Sequence, residues 1–186
     1  MTGNRKKKQA GFSLIEVLVS TVLFIMILLS ASGIFRIVIE SQRRAISSQN
    51  VQENLKYFLE VVSKEIRMAK KDAENTCPNV PSDIAFAVSA NSYGDVLYLK
   101  NYHDECVAYY LVQDASGAKR FAINRAGTAD YISPGKIDVS ALKFLVTQGS
   151  LGQPIVTVSL RAKAIGAEQY SEEMVIQTSL TSRYYK

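Results

Sequence analysis

The chain has 186 residues, 47% of them apolar, and a formal net charge of +5. This composition is typical of a globular domain joined to a further segment, and it excludes a wholly disordered chain. With one histidine in the sequence, a histidine-based metal site or catalytic base would depend on His103 alone, which argues against an enzyme. Four cations lie in residues 5–8 and leave the remainder close to neutral, which argues against nucleic-acid binding.

An apolar segment follows these cations. Residues 17–35 carry no charge, and a helix of that length spans about 30 Å of hydrocarbon. The preceding cations predict a cytoplasmic N-terminus and an exported remainder. Glu16 is a charged residue at the edge of this segment. A charged residue in mid-bilayer costs on the order of 3 kcal/mol. The sequence therefore predicts that this carboxylate has a partner.

Two common types of N-terminal segment leave Glu16 unexplained. One is a plain signal anchor, and the other is a secretory signal peptide cleaved near the small residues 30–32. The apolar run continues past Gly33 to Ile39, whereas the apolar part of a cleavable signal should stop before the cleavage site.

The order of basic residues, the stretch GFSLIE (residues 11–16) and an apolar helix resembles the N-terminus of type IV prepilins and type II secretion pseudopilins. The resemblance implies cleavage by prepilin peptidase between Gly11 and Phe12, followed by N-methylation of Phe12. Glu16 would become the fifth residue of the mature chain, paired with the N-terminal amine of a neighbouring subunit. That amine is largely protonated at neutral pH, and each buried charge is tolerable because the other is present.

The helix is predicted to continue to about residue 70, since no proline precedes Pro78 and no glycine occurs between Gly33 and Gly94. Residues 40–50 are polar and would leave the membrane. Beyond them, apolar residues recur at three- and four-residue spacing and form one stripe, which predicts packing on a sheet. The stripe comprises Val51, Leu55, Phe58, Leu59, Val62, Ile66 and Ala69.

The C-terminal part has the two-residue periodicity of strands. Candidate strands are residues 84–88, 96–100, 106–112, 120–124, 142–147, 155–162 and 174–181. Turns are predicted at residues 114–117 and 149–154, and an exposed loop at 165–171. In chain order, the sequence has a helix that ends in KEIR (residues 64–67), the segment VAYYL (107–111), a segment with Arg120 and Arg125, the segment VSALKF (139–144) and a final QTSLTSR (177–183). This order resembles the minor pseudopilin J group of type II secretion and related minor pilins.

The expected fold class is α+β, with a long N-terminal transmembrane and amphipathic helix packed on an antiparallel β-sheet domain, the ladle-like arrangement of pilins. The predicted organisation is a leader at residues 1–11, an assembly helix at 12–39, its amphipathic half at 40–71 and a β-rich extracytoplasmic domain at 72–186. In an exported domain, Cys77 and Cys106 can form a disulfide. Two separate thiols remain the alternative, because sequence does not give the distance between them.

Other polar residues give weaker signals. The run from His103 to Cys106 places adjacent residues on a turn, which rarely converge on one metal, so a solvated loop is the preferred interpretation. Asp130 and Asp138 lack the spacing of a calcium-binding loop. We expect no metal and no cofactor.

The resemblance implies a structural subunit of a secretion or pilus-like filament, anchored in the inner membrane with its globular domain outside the cytoplasm. Its expected partners are sister subunits, prepilin peptidase, the platform protein, the assembly ATPase and the lipid bilayer. The alternatives are a signal-anchored periplasmic binding domain and a competence-type pilin for DNA uptake, which the near-neutral mature chain disfavours.

Overall fold

The computed structural model of the chain describes residues 11–147, 153–166 and 173–183. The fold is α+β, with one long N-terminal apolar helix and antiparallel sheets, as predicted. Helix α1 covers Leu14–Arg67. The strands of the described residues are β1 Phe86–Asn91, β2 Gly94–Lys100, β3 Cys106–Gln113, β4 Lys119–Arg125, β5 Thr128–Tyr131, β6 Ile137–Thr147, β7 Ile155–Ala164 and β8 Met174–Thr181.

The chain divides into two compact units, with the boundary between Arg43 and Arg44. In the N-terminal unit, the apolar side chains of α1 are exposed, as Leu14 (83%) and Leu29 (69%) illustrate. This part of α1 is long and apolar enough to cross a membrane. A helix that is apolar all round is stable only in lipid or among other apolar helices.

The C-terminal unit has its own core. Five residues of the predicted stripe are buried on α1, and Phe58 is central among them. Its ring stacks on Phe121 with the centroids 3.7 Å apart and meets the edge of Tyr109 at 6.5 Å. The stripe is therefore confirmed as the face of α1 that packs on the sheet. The buried stripe residues are Val51, Leu55, Phe58, Val62 and Ile66.

Two antiparallel sheets form the rest of this unit. The first has the order β1-β2-β3-β4-β5 and the second the order β6-β7-β8. The predicted hairpin between β3 and β4 is confirmed, because Gly117 N donates to Asp114 O at 3.0 Å and Gly117 has a φ of 86°. After β8 the chain returns to the end of α1, where Arg183 N donates to Arg67 O at 2.8 Å.

The second sheet docks on the first through the start of β2. A Cβ added to Gly94 would lie 2.9 Å from the carbonyl oxygen of Leu142 in β6, and Gly94 has a φ of 151°. The next residue, Asp95, accepts a hydrogen bond from Phe144 N at 2.9 Å. A side chain at position 94 would therefore separate the two sheets.

Several predicted bounds differ from the structure. No pattern in the sequence predicts β5, and β6 begins at Ile137 rather than at residue 142. The helix ends at Arg67, and β1 begins at Phe86 rather than at residue 84. Strand β5 has no buried face, so it lacks the apolar alternation that reveals a strand. The predicted turn at 149–154 and loop at 165–171 lie largely outside the described residues.

Candidate processing and assembly segment

The peptide bond between Gly11 and Phe12 lies just before the first turn of α1. Residues 11–13 are not helical, and the carbonyl of Ser13 accepts hydrogen bonds from Glu16 N at 3.0 Å and Val17 N at 3.2 Å. Ser13 is thus the N-cap residue of the helix. Phe12 is 80% exposed, and a Cβ on Gly11 would meet nothing within 4 Å. The bond between Gly11 and Phe12 therefore lies outside the helix and is exposed.

Glu16 occupies the third position of α1. Its carboxylate is stabilised by the positive end of the helix dipole, and the pair Ser13 and Glu16 has capping-box spacing. Glu16 is exposed, and it has no ion-pair partner among residues 11–147, 153–166 and 173–183. A counter-charge for Glu16 in an apolar medium would therefore have to come from another molecule or from the chain's own N-terminal end.

Polar side chains within the apolar segment bond to their own helix. The hydroxyls of Ser20 and Thr21 donate to the carbonyls four residues earlier at 2.7 and 2.8 Å, and Ser30 and Ser32 do the same at 2.9 and 2.8 Å. These bonds satisfy each hydroxyl without water. The segment thus meets a requirement for burial in lipid or in a helical bundle.

Cys77 and Cys106 are joined by a disulfide in the structure, with their Cα atoms 5.5 Å apart. The bond ties the loop between α1 and β1 to the first residue of β3. The sequence raised this pairing, but it did not indicate the polar contacts that shape the same loop.

Asp72 is the centre of those contacts and is fully buried. Its carboxylate accepts hydrogen bonds from Cys77 N at 2.7 Å, Thr76 N at 3.0 Å and Thr76 Oγ1 at 2.8 Å, and it pairs with Lys100 Nζ at 3.3 Å. Burial alone would raise the pKa of Asp72, but these donors outweigh it and lower the pKa to about 2. The contacts fix the loop that carries Cys77.

A second set of polar side chains joins α1 to the first sheet. Glu65 Oε1 accepts a hydrogen bond from Arg125 NH2 at 2.7 Å, while Glu65 Oε2 and the Tyr109 hydroxyl are buried without a described partner. Burial raises the pKa of Tyr109, the Glu65 carboxylate raises it further, and Arg125 opposes both. Tyr109 therefore remains neutral at physiological pH, and the Glu65–Arg125 pair joins the end of α1 to β4.

Most of the polar residues that the sequence offered as weak metal-ligand candidates contact other residues of the fold. Asp104 binds Lys70 Nζ at 3.0 Å, which lowers the pKa of Asp104, and the His103 ring lies against Tyr102. Asp138 accepts a hydrogen bond from Lys119 N at 2.9 Å, whereas Asp130 is in β5. In the described part of the chain, no three His, Cys, Asp or Glu side chains form a group that could hold a metal ion.

Comparison with known proteins gives one result for the N-terminus. Residues 6–32 match the family model described as the prokaryotic N-terminal methylation motif. No curated protein and no solved structure matches the chain. The motif contains Gly11, Phe12 and Glu16 and is typical of pilin-like structural subunits that prepilin peptidase processes. With the exposed apolar part of α1, it indicates a membrane-anchored, single-pass, type IV pilin-like protein that assembles with other pilin subunits.

Proposed function

We propose that the protein is a minor pilin or minor pseudopilin, cleaved between Gly11 and Phe12, methylated on Phe12 and assembled into a filament through α1. The observation that carries this proposal is the position of Glu16 within the matched motif, exposed and without a described counter-charge. A protonated amine on Phe12 of a neighbouring subunit would supply that charge within a bundle of apolar helices.

The finer assignment rests on the C-terminal unit. The order of the segments at residues 64–67, 107–111, 139–144 and 177–183 resembles the type II secretion minor pseudopilin J group. The leader would be residues 1–11, the assembly helix 12–39, its amphipathic half 40–71 and the extracytoplasmic domain 72–186. The N-terminus would face the cytoplasm, and a platform protein and an assembly ATPase would insert the subunit into the filament.

The test is the intact mass and N-terminal sequence of the protein from its native membrane. We expect a chain that begins at Phe12 and carries one additional methyl group. A chain that begins at Met1 would indicate a signal anchor, and a start near Gly33 would indicate a secreted domain. Either result would contradict the proposal.

A matched pair of variants separates peptidase recognition from folding. Gly11→Leu should leave the leader uncleaved, because the peptidase would meet a side chain where the motif has none. Gly33→Leu should be processed normally. A Cβ added to either glycine would meet no non-neighbouring atom within 4 Å, so we expect both variants to keep the fold of the described chain.

A further inference from the structure

A cavity of about 600 Å³ opens on the face of the first sheet that is turned away from α1. Leu97, Leu99, Val107 and Tyr109 contribute to the core under α1. Because side chains alternate along a strand, the residues between them project to the opposite face. The volume lies within the range of small-molecule sites.

One row of paired residues forms the floor. Tyr98 of β2 is paired with Ala108 of β3, and Ala108 is paired with Asn124 of β4. Tyr110 lies two residues beyond Ala108 on the same face. The small side chain between two tyrosines leaves a depression in the sheet surface, and all four residues line the cavity.

The walls come from two loops. On one side, residues 77–80 rise from the Cys77–Cys106 disulfide. Asp72 holds the base of this loop by accepting a hydrogen bond from Cys77 N at 2.7 Å. On the other side, the turn at residues 126–127 is fixed by Gly127 N, which donates to Asn124 Oδ1 at 3.0 Å. The cavity is thus shaped by covalent and polar contacts that exist without a ligand.

The lining limits the chemistry of a ligand. None of the described residues that line the cavity is Asp, Glu, Lys, Arg or His, so a charged ligand would meet no counter-charge and would lose its hydration. The Tyr110 hydroxyl and Asn124 Nδ2 have no hydrogen-bond partner among the described residues, and Ser89 Oγ donates to the Tyr98 hydroxyl at a long 3.4 Å. An acyl chain would leave these groups unpaired, which costs binding free energy.

We propose that this cavity binds an uncharged oligosaccharide. A sugar ring has an apolar C–H face that suits Ala108 and the tyrosine rings. Its hydroxyls both donate and accept, as do the phenols of Tyr98 and Tyr110 and the amide of Asn124. The site lies wholly within the C-terminal unit, so it does not depend on whether the N-terminus is processed as proposed.

The experiment uses the full chain in lipid nanodiscs, which avoids detergents with sugar headgroups. Maltotetraose, cellotetraose and chitotetraose are titrated by calorimetry. We expect saturable binding of at least one of them. Tyr110→Phe, which removes only the hydroxyl, should weaken that binding about fivefold. Asn124→Ala should weaken it about tenfold, since it removes the amide that faces the ligand and also the acceptor of the Gly127 N hydrogen bond that fixes the turn.

Tyr57→Ala is the matched control, because Tyr57 is 57% exposed on α1 and lies outside the cavity. Its affinity should equal that of the wild type. Replacing both Cys77 and Cys106 by serine should weaken binding by releasing the wall. The proposal is overturned if none of the three oligosaccharides binds, or if Tyr110→Phe and Asn124→Ala bind as the wild type does.

Discussion

The two units of the chain use apolar residues in opposite ways. In the N-terminal unit, Phe24 and Phe35 are 60% and 66% exposed, whereas Phe58 in the C-terminal unit is 1% exposed and stacked on Phe121. Exposed apolar surface on this scale indicates a surface that another molecule or a membrane covers. The N-terminal unit therefore needs a membrane or neighbouring helices to cover its apolar surface, while the C-terminal unit has its own core.

The largest expected effect concerns Glu16. Glu16→Leu should reduce the amount of protein in sedimented filaments more than about a hundredfold, because loss of one partner of a buried ion pair costs on the order of 3–5 kcal/mol. Glu60→Leu, at an exposed position of α1, is the control and should assemble normally. Normal assembly of Glu16→Leu would show that the N-terminal unit needs no charge partner and acts as a plain anchor.

Removing the central aromatic ring of the core should give the next largest effect. Phe58→Ala should lower the free energy of unfolding by about 3–5 kcal/mol, since it leaves a cavity beneath Phe121 and Tyr109. The measurement is denaturant unfolding followed by the fluorescence of the tyrosines. Phe35→Ala should change that free energy by less than about 0.5 kcal/mol. Equal effects would erase the distinction between the two units.

The disulfide provides a third comparison, because both cysteines of the chain are in the C-terminal unit. Replacing Cys77 and Cys106 together by serine should lower the free energy of unfolding by about 3 kcal/mol, since the unfolded chain loses a closed loop with a sequence separation of 29. Adding a reductant should destabilise the wild type and leave the double variant unchanged. A wild type insensitive to reductant would contradict the prediction.

The contact between the two sheets predicts a smaller effect. Gly94→Ala should cost about 2 kcal/mol, because the new Cβ would meet the Leu142 carbonyl at 2.9 Å and the φ of 151° is unfavourable for alanine. Gly127→Ala is the control, with a φ of 91° and open space around the Cβ, and should cost only about 1 kcal/mol. The difference between their unfolding free energies reports the clash with Leu142 together with the difference in φ at the two positions.

The smallest effect is confined to acid solution. The pKa of Asp72 is lowered to about 2 in the folded chain, so its contribution to stability is complete above the ordinary value of 3.8 and is lost as the pH falls through about 2. Between pH 4 and pH 2 the wild type should therefore lose stability more steeply than Asp72→Asn. Thermal unfolding across this range measures the difference, and Asp130→Asn, at an exposed position of β5, should follow the wild type.

Much of the fold was predictable because periodic burial leaves a trace in the sequence. The stripe on α1 and the alternation in β7 each follow from one face that packs and one that does not. Strand β5 was missed because all four of its residues are exposed and only backbone pairing with β4 defines it. The division into two sheets was missed because it depends on the approach of Gly94 to Leu142, which are far apart in the chain.

The candidate functional residues also fall into those that a local pattern reveals and those that only a long-range contact reveals. Gly11, Phe12 and Glu16 stand out in the sequence because they belong to a short linear motif, which the matched family model spans at residues 6–32. Asp72 and Lys100 gave no such signal, since their roles arise from a contact across 28 positions in the chain. Isolated charged residues are usually solvated, and no local sequence pattern distinguishes a charged residue that is buried.

The sequence by itself determined where the chain is apolar, where it is periodic and which N-terminal motif it carries. Those properties are local, because helix length, side-chain alternation and peptidase recognition each depend on neighbouring residues. Only the tertiary structure decided that Cys77 lies beside Cys106, that Asp72 pins the loop between them and that Tyr98, Ala108, Tyr110 and Asn124 share one cavity. Such pairings depend on how strands are ordered and sheets docked, and their free energy comes from groups that meet only after the chain has folded.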